Sequence, residues 1–126
     1  MGEQNSKKIL IVEDDKFLAK MLGRMLESKK LEVLQAGTGK EGVEKAATGQ
    51  PNLILLDIML PDTDGFEVLK QVKAKSETKD IPVIIISNLG QPEDVAQGKK
   101  LGAIDHLVKS DLSLDEVVEK VEEVVA

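Results

Sequence analysis

The hydrophobic residues of this chain follow two alternating patterns. Five short runs are almost continuously apolar, and β-branched residues dominate the fourth of them. Such runs are typical of strands that are buried on both faces of a parallel sheet. We predict strands at residues 8–12, 31–36, 53–57, 82–87 and 106–109, with the fourth as a central strand.

Apolar residues recur at helical spacing between and after these runs. A capping box of Thr38 and Glu41 opens the second helix, which ends at Gly49. The third helix follows a turn at 61–65, and the fourth, at 92–101, is weakened by Gly98. The first helix has an apolar face of Phe17, Leu18, Met21, Leu22, Met25 and Leu26. The last, capped by Ser113, has a buried stripe of Leu114, Val117, Val118, Val121, Val124 and Val125.

Five β-then-α units joined by right-handed crossovers predict an α/β fold with a doubly wound, five-stranded parallel sheet, the flavodoxin-like (βα)5 arrangement. Ligands of such sheets bind in the crevice at the carboxyl ends of the strands. At 126 residues the chain is expected to be one domain, 1–126, with its core at 8–125 and no output domain after the last helix.

The composition of the chain argues against several classes of binding partner. A net charge of -6 and two aromatic residues, both phenylalanine, disfavour direct nucleic-acid binding. There is no cysteine, no run long enough to cross a membrane, and no signal-peptide core in residues 1–6. We therefore expect a cytoplasmic protein that does not bind membranes.

Charged residues cluster at the predicted strand ends. Asp57 closes the third strand, Glu13, Asp14 and Asp15 follow the first, and Lys109 ends the fifth. Clustered carboxylates hold their charge best around a cation, and an all-oxygen ligand set suits Mg²⁺ or Mn²⁺. With Ser87 at the end of the fourth strand, these are the groups needed to accept a phosphoryl group onto a carboxylate.

Each residue alone has a simpler explanation. Asp15 is expected as the N-cap of the first helix rather than as a ligand. Ser87 and Lys109, taken singly, are ordinary strand ends. Their joint placement on four strands favours the functional interpretation.

The constellation resembles the receiver domain of two-component response regulators. The matching segments are Ile-Leu-Ile-Val-Glu-Asp-Asp at 9–15, Leu-Leu-Asp-Ile-Met-Leu-Pro at 55–61 with Asp64 and Gly65, Val-Ile-Ile-Ile-Ser at 83–87, and Gly-Ala-Ile-Asp-His-Leu-Val-Lys at 102–109. The resemblance spans 8–125 and implies an apparently stand-alone signalling switch. Such a switch catalyses only its own phosphotransfer and slow autodephosphorylation.

The resemblance also implies roles for individual residues. Asp57 would accept a phosphoryl group from a phosphohistidine of a sensor kinase or phosphotransfer protein. Asp14 would bind the metal directly, Glu13 through water, and Met59 through its carbonyl. Ser87 and Lys109 would hold the phosphoryl oxygens. Helix four is the weakest predicted helix and can shift at low cost, so output is expected through the face of helix four, strand five and helix five, toward a downstream protein or a second copy.

Three positions depart from the family pattern. Ser110 follows Lys109 where a proline, generally cis, is usual, and a cis bond before a non-proline residue costs about 3 kcal/mol. His106 occupies the position of a switch tyrosine or phenylalanine. Asn88 replaces a very small residue after the switch hydroxyl, next to the path of the phosphodonor.

Two other functions compete with this one. A pseudo-receiver would be an interaction module that never takes phosphate, and such modules tend to lose one of Asp14, Asp57, Ser87 and Lys109, all of which are present. A flavin or nucleotide binder would need a Gly- or Ser/Thr-rich loop after the first strand. The acids at that position would repel a phosphate.

Overall fold

The computed structural model describes residues 6–126, in which five strands alternate with five helices. The strands are β1 (Lys8–Val12), β2 (Glu32–Ala36), β3 (Leu53–Leu56), β4 (Val83–Ser87) and β5 (Asp105–Val108). The helices are α1 (Lys16–Glu27), α2 (Gly39–Gly49), α3 (Gly65–Ala74), α4 (Pro92–Lys100) and α5 (Leu114–Val125). A 3₁₀ turn, Lys109–Asp111, follows β5. The amino-terminal edge of the predicted domain and most of the segment inspected for a signal peptide lie outside the described residues.

The strands form one parallel sheet in the order β2-β1-β3-β4-β5. This order confirms the doubly wound, flavodoxin-like α/β fold. The strand order reverses between β1 and β3, so the crevice at their carboxyl ends is the expected ligand site of such a sheet.

Both faces of the sheet are covered, which explains why its three central strands, β1, β3 and β4, are almost continuously apolar. Leu10 and Ile54 point into a core shared with α2 and α3, and their neighbours Ile9 and Leu53 point into a second core shared with α1 and α5. All four side chains have at most 1% of their surface exposed. The two cores hold the strand ends, and hence the site, in a fixed arrangement.

Two local predictions need correction. Phe17 and Met21 are 75% and 37% exposed, because α1 packs on the sheet through Ala19, Leu22, Gly23 and Leu26. Thr38 accepts a hydrogen bond from Glu41 N as expected, but the Glu41 carboxylate bonds Gly37 N instead of the Thr38 amide. The Thr38–Glu41 pair is therefore half of a capping box.

Several element ends also differ from the sequence prediction. β3 stops at Leu56, so Asp57 lies just beyond it, and Lys109 begins the 3₁₀ turn rather than ending β5. The peptide bond between Lys109 and Ser110 is trans, like the others in the described chain. Across residues 6–126, no helix has the length and apolar character needed to cross a bilayer.

Candidate functional site

The site lies at the carboxyl ends of four neighbouring strands. Glu13 and Asp14 follow β1, Asp57 follows β3, Ser87 is the last residue of β4, and Lys109 follows β5. Because parallel strands all end at the same edge, residues distant in sequence meet there. Glu13, Asp57 and Ser87 are 4%, 3% and 0% exposed, so this edge buries polar groups within an apolar sheet.

Lys109 joins two of the buried carboxylates. Its Nζ lies 2.8 Å from Glu13 Oε1 and 3.2 Å from Asp57 Oδ2. The second oxygen of each carboxylate is held by backbone. Asp15 N donates to Glu13 Oε2 at 3.0 Å, and Met59 N donates to Asp57 Oδ1 at 3.2 Å. Contacts within the chain thus orient both carboxylates.

Burial and charge shift two pKa values in this group. Burial raises the pKa of Glu13, the charge of Asp57 adds to the rise, and Lys109 opposes it. Burial lowers the pKa of Lys109, but the hydrogen bond and charge of Glu13 together with Asp57 outweigh it, so the net pKa of Lys109 is raised. The lysine therefore stays charged at neutral pH beside the carboxyl groups.

The three acids can hold a metal ion. One carboxylate oxygen from each of Glu13, Asp14 and Asp57 lies within 4.8 Å of the others, and Asp14 is exposed to solvent. Apart from its ion pair with Lys109, the buried Glu13 Oε1 atom has no hydrogen-bond donor among residues 6–126. An all-oxygen set with one open side fits Mg²⁺, which keeps several of its waters. The residues present therefore fit the expected divalent cation.

The first residues of α1 and α3 follow the capping rules. Asp15 Oδ1 accepts hydrogen bonds from Phe17 N and Leu18 N, which confirms Asp15 as the N-cap. Asp64 caps α3 through Glu67 N. Gly65 must be glycine here, since a Cβ would lie 2.3 Å from the Asp57 carbonyl oxygen. The backbone around the phosphoacceptor candidate is tightly packed.

The backbone of Leu89 connects Ser87 with His106. Leu89 N donates to Ser87 Oγ at 3.2 Å, and Leu89 O lies 2.6 Å from His106 Nε2. A carbonyl oxygen only accepts, so this hydrogen bond requires a proton on His106 Nε2. Nδ1 is buried and has no hydrogen-bond partner within the described chain.

Helix α4 packs closely on this group. A Cβ at Gly98 would lie 2.6 Å from Ile85 Cδ1 and 3.7 Å from His106 Nδ1. The sequence suggested that Gly98 weakens the helix, whereas the structure shows that it permits the close approach of α4 to the sheet. No sequence rule indicated this contact, nor the role of the Leu89 backbone.

The structure therefore brings Glu13, Asp14, Asp57 and Lys109 together. Ser87 lies at the same edge, but its hydroxyl bonds the Leu89 backbone rather than Asp57 or Lys109. Asn88 is exposed beside it. The Met59 side chain is 60% exposed, while its amide is held by Asp57.

The response regulator receiver domain model matches residues 9–122. The chain belongs to this family. Receiver domains are signalling modules rather than enzymes in the usual sense, and the acidic cluster of Glu13, Asp14 and Asp57 is typical of the Mg²⁺ site of receivers.

Curated relatives of the chain differ in length. The receiver is 41% identical over 102 residues to the DNA-binding dual master transcriptional regulator RpaA of Synechocystis, covering 81% of this chain and 42% of RpaA. It is 39% identical over 102 residues to PilH of Pseudomonas aeruginosa, covering 81% of this chain and 84% of PilH. The chain thus spans about two fifths of the regulator and most of PilH.

Solved receivers share the fold over almost the whole chain. The receiver domain of the Francisella response regulator 1452 aligns with a TM-score of 0.87 at 31% identity, covering 95% of this chain and 97% of that one. The non-phosphorylated HemR receiver domain of Leptospira biflexa aligns with a TM-score of 0.88 at 30% identity, covering 96% and 95%.

Proposed function

We propose that this receiver is a phosphorylation-controlled switch in which Asp57 accepts a phosphoryl group from a phosphohistidine of a sensor histidine kinase or a phosphotransfer protein. The observation that carries the proposal is the joint contact of Lys109 with Asp57 and Glu13 at the open edge of the sheet. Burying carboxylates beside a cation in an apolar sheet is costly, and such clusters are typical of functional sites.

The transfer requires one bond to form and one to break. A carboxylate oxygen of Asp57 attacks phosphorus, and the bond from phosphorus to the donor imidazole nitrogen breaks. The imidazole keeps the electron pair, so the product is an acyl phosphate on Asp57 and a free histidine on the donor. The hydrogen bond from Met59 N to Asp57 Oδ1 restricts rotation of the attacking group.

Glu13, Asp14 and Asp57, with the Met59 carbonyl, would hold Mg²⁺ or Mn²⁺. When bound, such an ion neutralises charge on the phosphoryl oxygens. Lys109 supplies a second positive charge from the carboxyl end of β5, and its ammonium can turn from the carboxylates to a phosphoryl oxygen. The chain's own contribution is to orient Asp57 and to keep Lys109 charged beside it.

The signal would leave through the loop between β4 and α4. If the Ser87 hydroxyl turns toward the phosphoryl group, Leu89 N loses its acceptor, and the bond between Leu89 O and His106 is free to rearrange. Asn88, next to Ser87, would border the entry of the phosphodonor. The face formed by α4, β5 and α5 would then present a changed surface to a downstream protein or a second copy.

Asp57 should be the single site of acyl-phosphate formation when the protein is incubated with acetyl phosphate and Mg²⁺. Intact-mass spectrometry should show one added phosphoryl group in the wild type and none in Asp57→Asn. Asp80→Asn, an exposed aspartate before β4, is the matched control and should be phosphorylated like the wild type.

Chelation of Mg²⁺ should abolish the reaction. Phosphorylation that survives Asp57→Asn would refute the assignment of the acceptor. A wild-type protein that takes no phosphoryl group, even from a phosphorylated histidine donor, would instead favour the pseudo-receiver that signals without phosphate.

A further inference from the structure

Asp62 connects the loop after the phosphoacceptor with a helix that takes no other part in the site. The loop between β3 and α3 contains Asp62, whose Oδ1 accepts from Gly39 N at 2.7 Å and whose Oδ2 accepts from Lys40 N at 3.0 Å. These residues lie 23 and 22 positions earlier in the chain. The two hydrogen bonds lower the pKa of Asp62, so it is ionised at neutral pH.

The first amides of α2 are therefore shared between two caps. Thr38, the local N-cap, accepts from Glu41 N, while Asp62 takes the two amides before it. One N-cap side chain is the usual arrangement at a helix start, and an acid at the amino end adds a favourable charge. The second cap, Asp62, also fixes the position of the loop between β3 and α3, to which it belongs.

Close packing reinforces this attachment. A Cβ on Gly39 would lie 2.4 Å from Thr63 Cγ2 and 2.8 Å from Val68 Cγ2, so only glycine lets the start of α2 press against the loop. The base of the loop is closed as well. Gly65 N donates to Ile58 O at 2.7 Å, and Met59 pairs with Asp64 in an antiparallel bridge.

The loop is thus held at its base by β3 and α3 and at its tip by Asp62. Met59 lies between these two attachments, two residues after Asp57 and three before Asp62. Its amide orients Asp57, and its carbonyl is the backbone ligand of the proposed cation site. Motion of the loop tip would reach both groups through a segment of four residues, 58–61.

We propose that Asp62 is a positioning residue for the cation site, which holds the Met59 backbone in place by anchoring the loop to the start of α2. The proposal rests on the proposed function, since it assigns a role toward the same cation. Without the anchor, the loop samples more conformations, and binding of the cation must restrict them again.

The half-saturating Mg²⁺ concentration should therefore rise roughly 3- to 10-fold in Asp62→Ala. Changes in groups that hydrogen-bond a metal ligand directly typically cost 10- to 100-fold, and Asp62 acts one step further away. The rate of phosphorylation at saturating Mg²⁺ should fall less than the Mg²⁺ affinity does, because the bound cation restricts the Met59 backbone again. Asp62→Asn keeps one acceptor oxygen, so its half-saturating Mg²⁺ concentration should lie between those of the wild type and Asp62→Ala.

Thr38→Ala is the matched control. It also removes a cap from α2, but one supplied by the residue just before the helix and not by the loop, so it should destabilise the protein without changing Mg²⁺ affinity. Glu44→Gln removes an acid that lines the same surface cavity as Asp62 and tests whether the charge alone explains the effect. Gly39→Ala, which displaces the loop by steric contact, should reproduce the phenotype of Asp62→Ala.

Mg²⁺ binding should be measured on the unphosphorylated protein by titration of backbone amide resonances, with amide exchange of residues 58–61 in the metal-free state as a second readout. Faster exchange and weaker binding in Asp62→Ala, with neither in Thr38→Ala, support the proposal. Wild-type affinity in Asp62→Ala, or an equal loss in Thr38→Ala or Glu44→Gln, overturns it. These measurements need no phosphorylation, so a failure of the proposed function would be seen separately as an absent phosphoprotein.

Discussion

Replacing Lys109 with methionine should lower the free energy of unfolding by about 2–3 kcal/mol at neutral pH in the absence of metal. Removing one partner of a fully buried ion pair costs about 3–5 kcal/mol, because the other charge stays buried without compensation. Glu13 and Asp57 are that buried, at 4% and 3% exposure, and both lose their cation. The Lys109 side chain itself is 20% exposed, so solvent reduces the expected loss.

The pH dependence of this loss has a definite sign. Burial raises the pKa of Glu13 and Lys109 opposes the rise, so the variant raises the pKa of Glu13 further. The pKa of Glu13 is higher in the folded protein than its unfolded value of 4.5. Such an acid stabilises the folded protein fully at pH values below 4.5, and this stabilisation is lost as the pH rises through the folded pKa. The deficit of Lys109→Met should therefore be small near pH 4.5 and large at pH 7.

At alkaline pH, the titration of Lys109 itself limits the stability deficit of the variant. The raised pKa of Lys109 contributes stability below its unfolded value, 10.5, which is lost as the pH rises through the folded pKa. The deficit should shrink again in that alkaline range, because the wild type then loses the same charge.

Urea denaturation followed by far-ultraviolet circular dichroism, with a chelator present, measures both effects, since the chain has no tryptophan or tyrosine to report by fluorescence. The matched control is Lys120→Met. Lys120 also has two carboxylate partners, Asp105 at 3.3 Å and Glu123 at 3.9 Å, but its side chain is 40% exposed. Exposed ion pairs contribute about 0–1 kcal/mol to stability, so Lys120→Met should lower the free energy of unfolding by no more than that.

Adding Glu13→Gln to Lys109→Met should restore part of the stability, because it removes one of the unpaired charges. Equal losses in Lys109→Met and Lys120→Met, or a loss that does not change between pH 4.5 and 7, would refute the argument from burial.

Asp14→Asn should abolish Mg²⁺-dependent phosphorylation while leaving the metal-free fold as stable as the wild type or slightly more so, since like-charge repulsion falls; wild-type phosphorylation kinetics would contradict this. Mg²⁺ should bind the unmodified protein nearer millimolar than nanomolar, roughly -4 kcal/mol by calorimetry. Met59→Asn combined with Leu89→Glu should speed loss of the phosphoryl group, because the apolar side chains cannot position an attacking water; an unchanged half-life by intact-mass spectrometry argues against it. His106→Ala should keep phosphorylation but weaken the change in amide exchange between Leu89 and His106 on phosphorylation, with α2 as the unchanging reference; an unaltered response would mean that the signal travels elsewhere.

Much of the fold is readable locally. The central strands β1, β3 and β4 are buried on both faces, so their apolar runs stand out without any knowledge of their neighbours. Helix starts at Asp15 and Ser113 follow from caps that act within three residues. The polar ends of the same strands also predicted which charges would share an edge.

Orientation of the helices is less local. Phe17 and Met21 have the spacing of core residues, yet they are exposed. Helix α1 instead approaches the sheet through Ala19 and Gly23, where a Cβ on Gly23 would meet Gln35 Nε2 at 2.9 Å. The spacing of hydrophobic residues defines the apolar face of a helix. The size of the side chains between the helix and the sheet decides which part of that face contacts the sheet.

Residue type and strand order were enough to predict which charged residues share the site. Parallel strands bring their carboxyl ends to one edge of the sheet, whatever lies between them in the sequence. Only the tertiary structure decided which groups are bonded to one another. Asp62 caps a helix 23 residues earlier, and Ser87 and His106 meet on the backbone of Leu89. A hydrogen bond forms only when donor and acceptor lie within a few tenths of an ångström of about 2.9 Å. Packing between distant segments sets that distance, and no local pattern of residues encodes it.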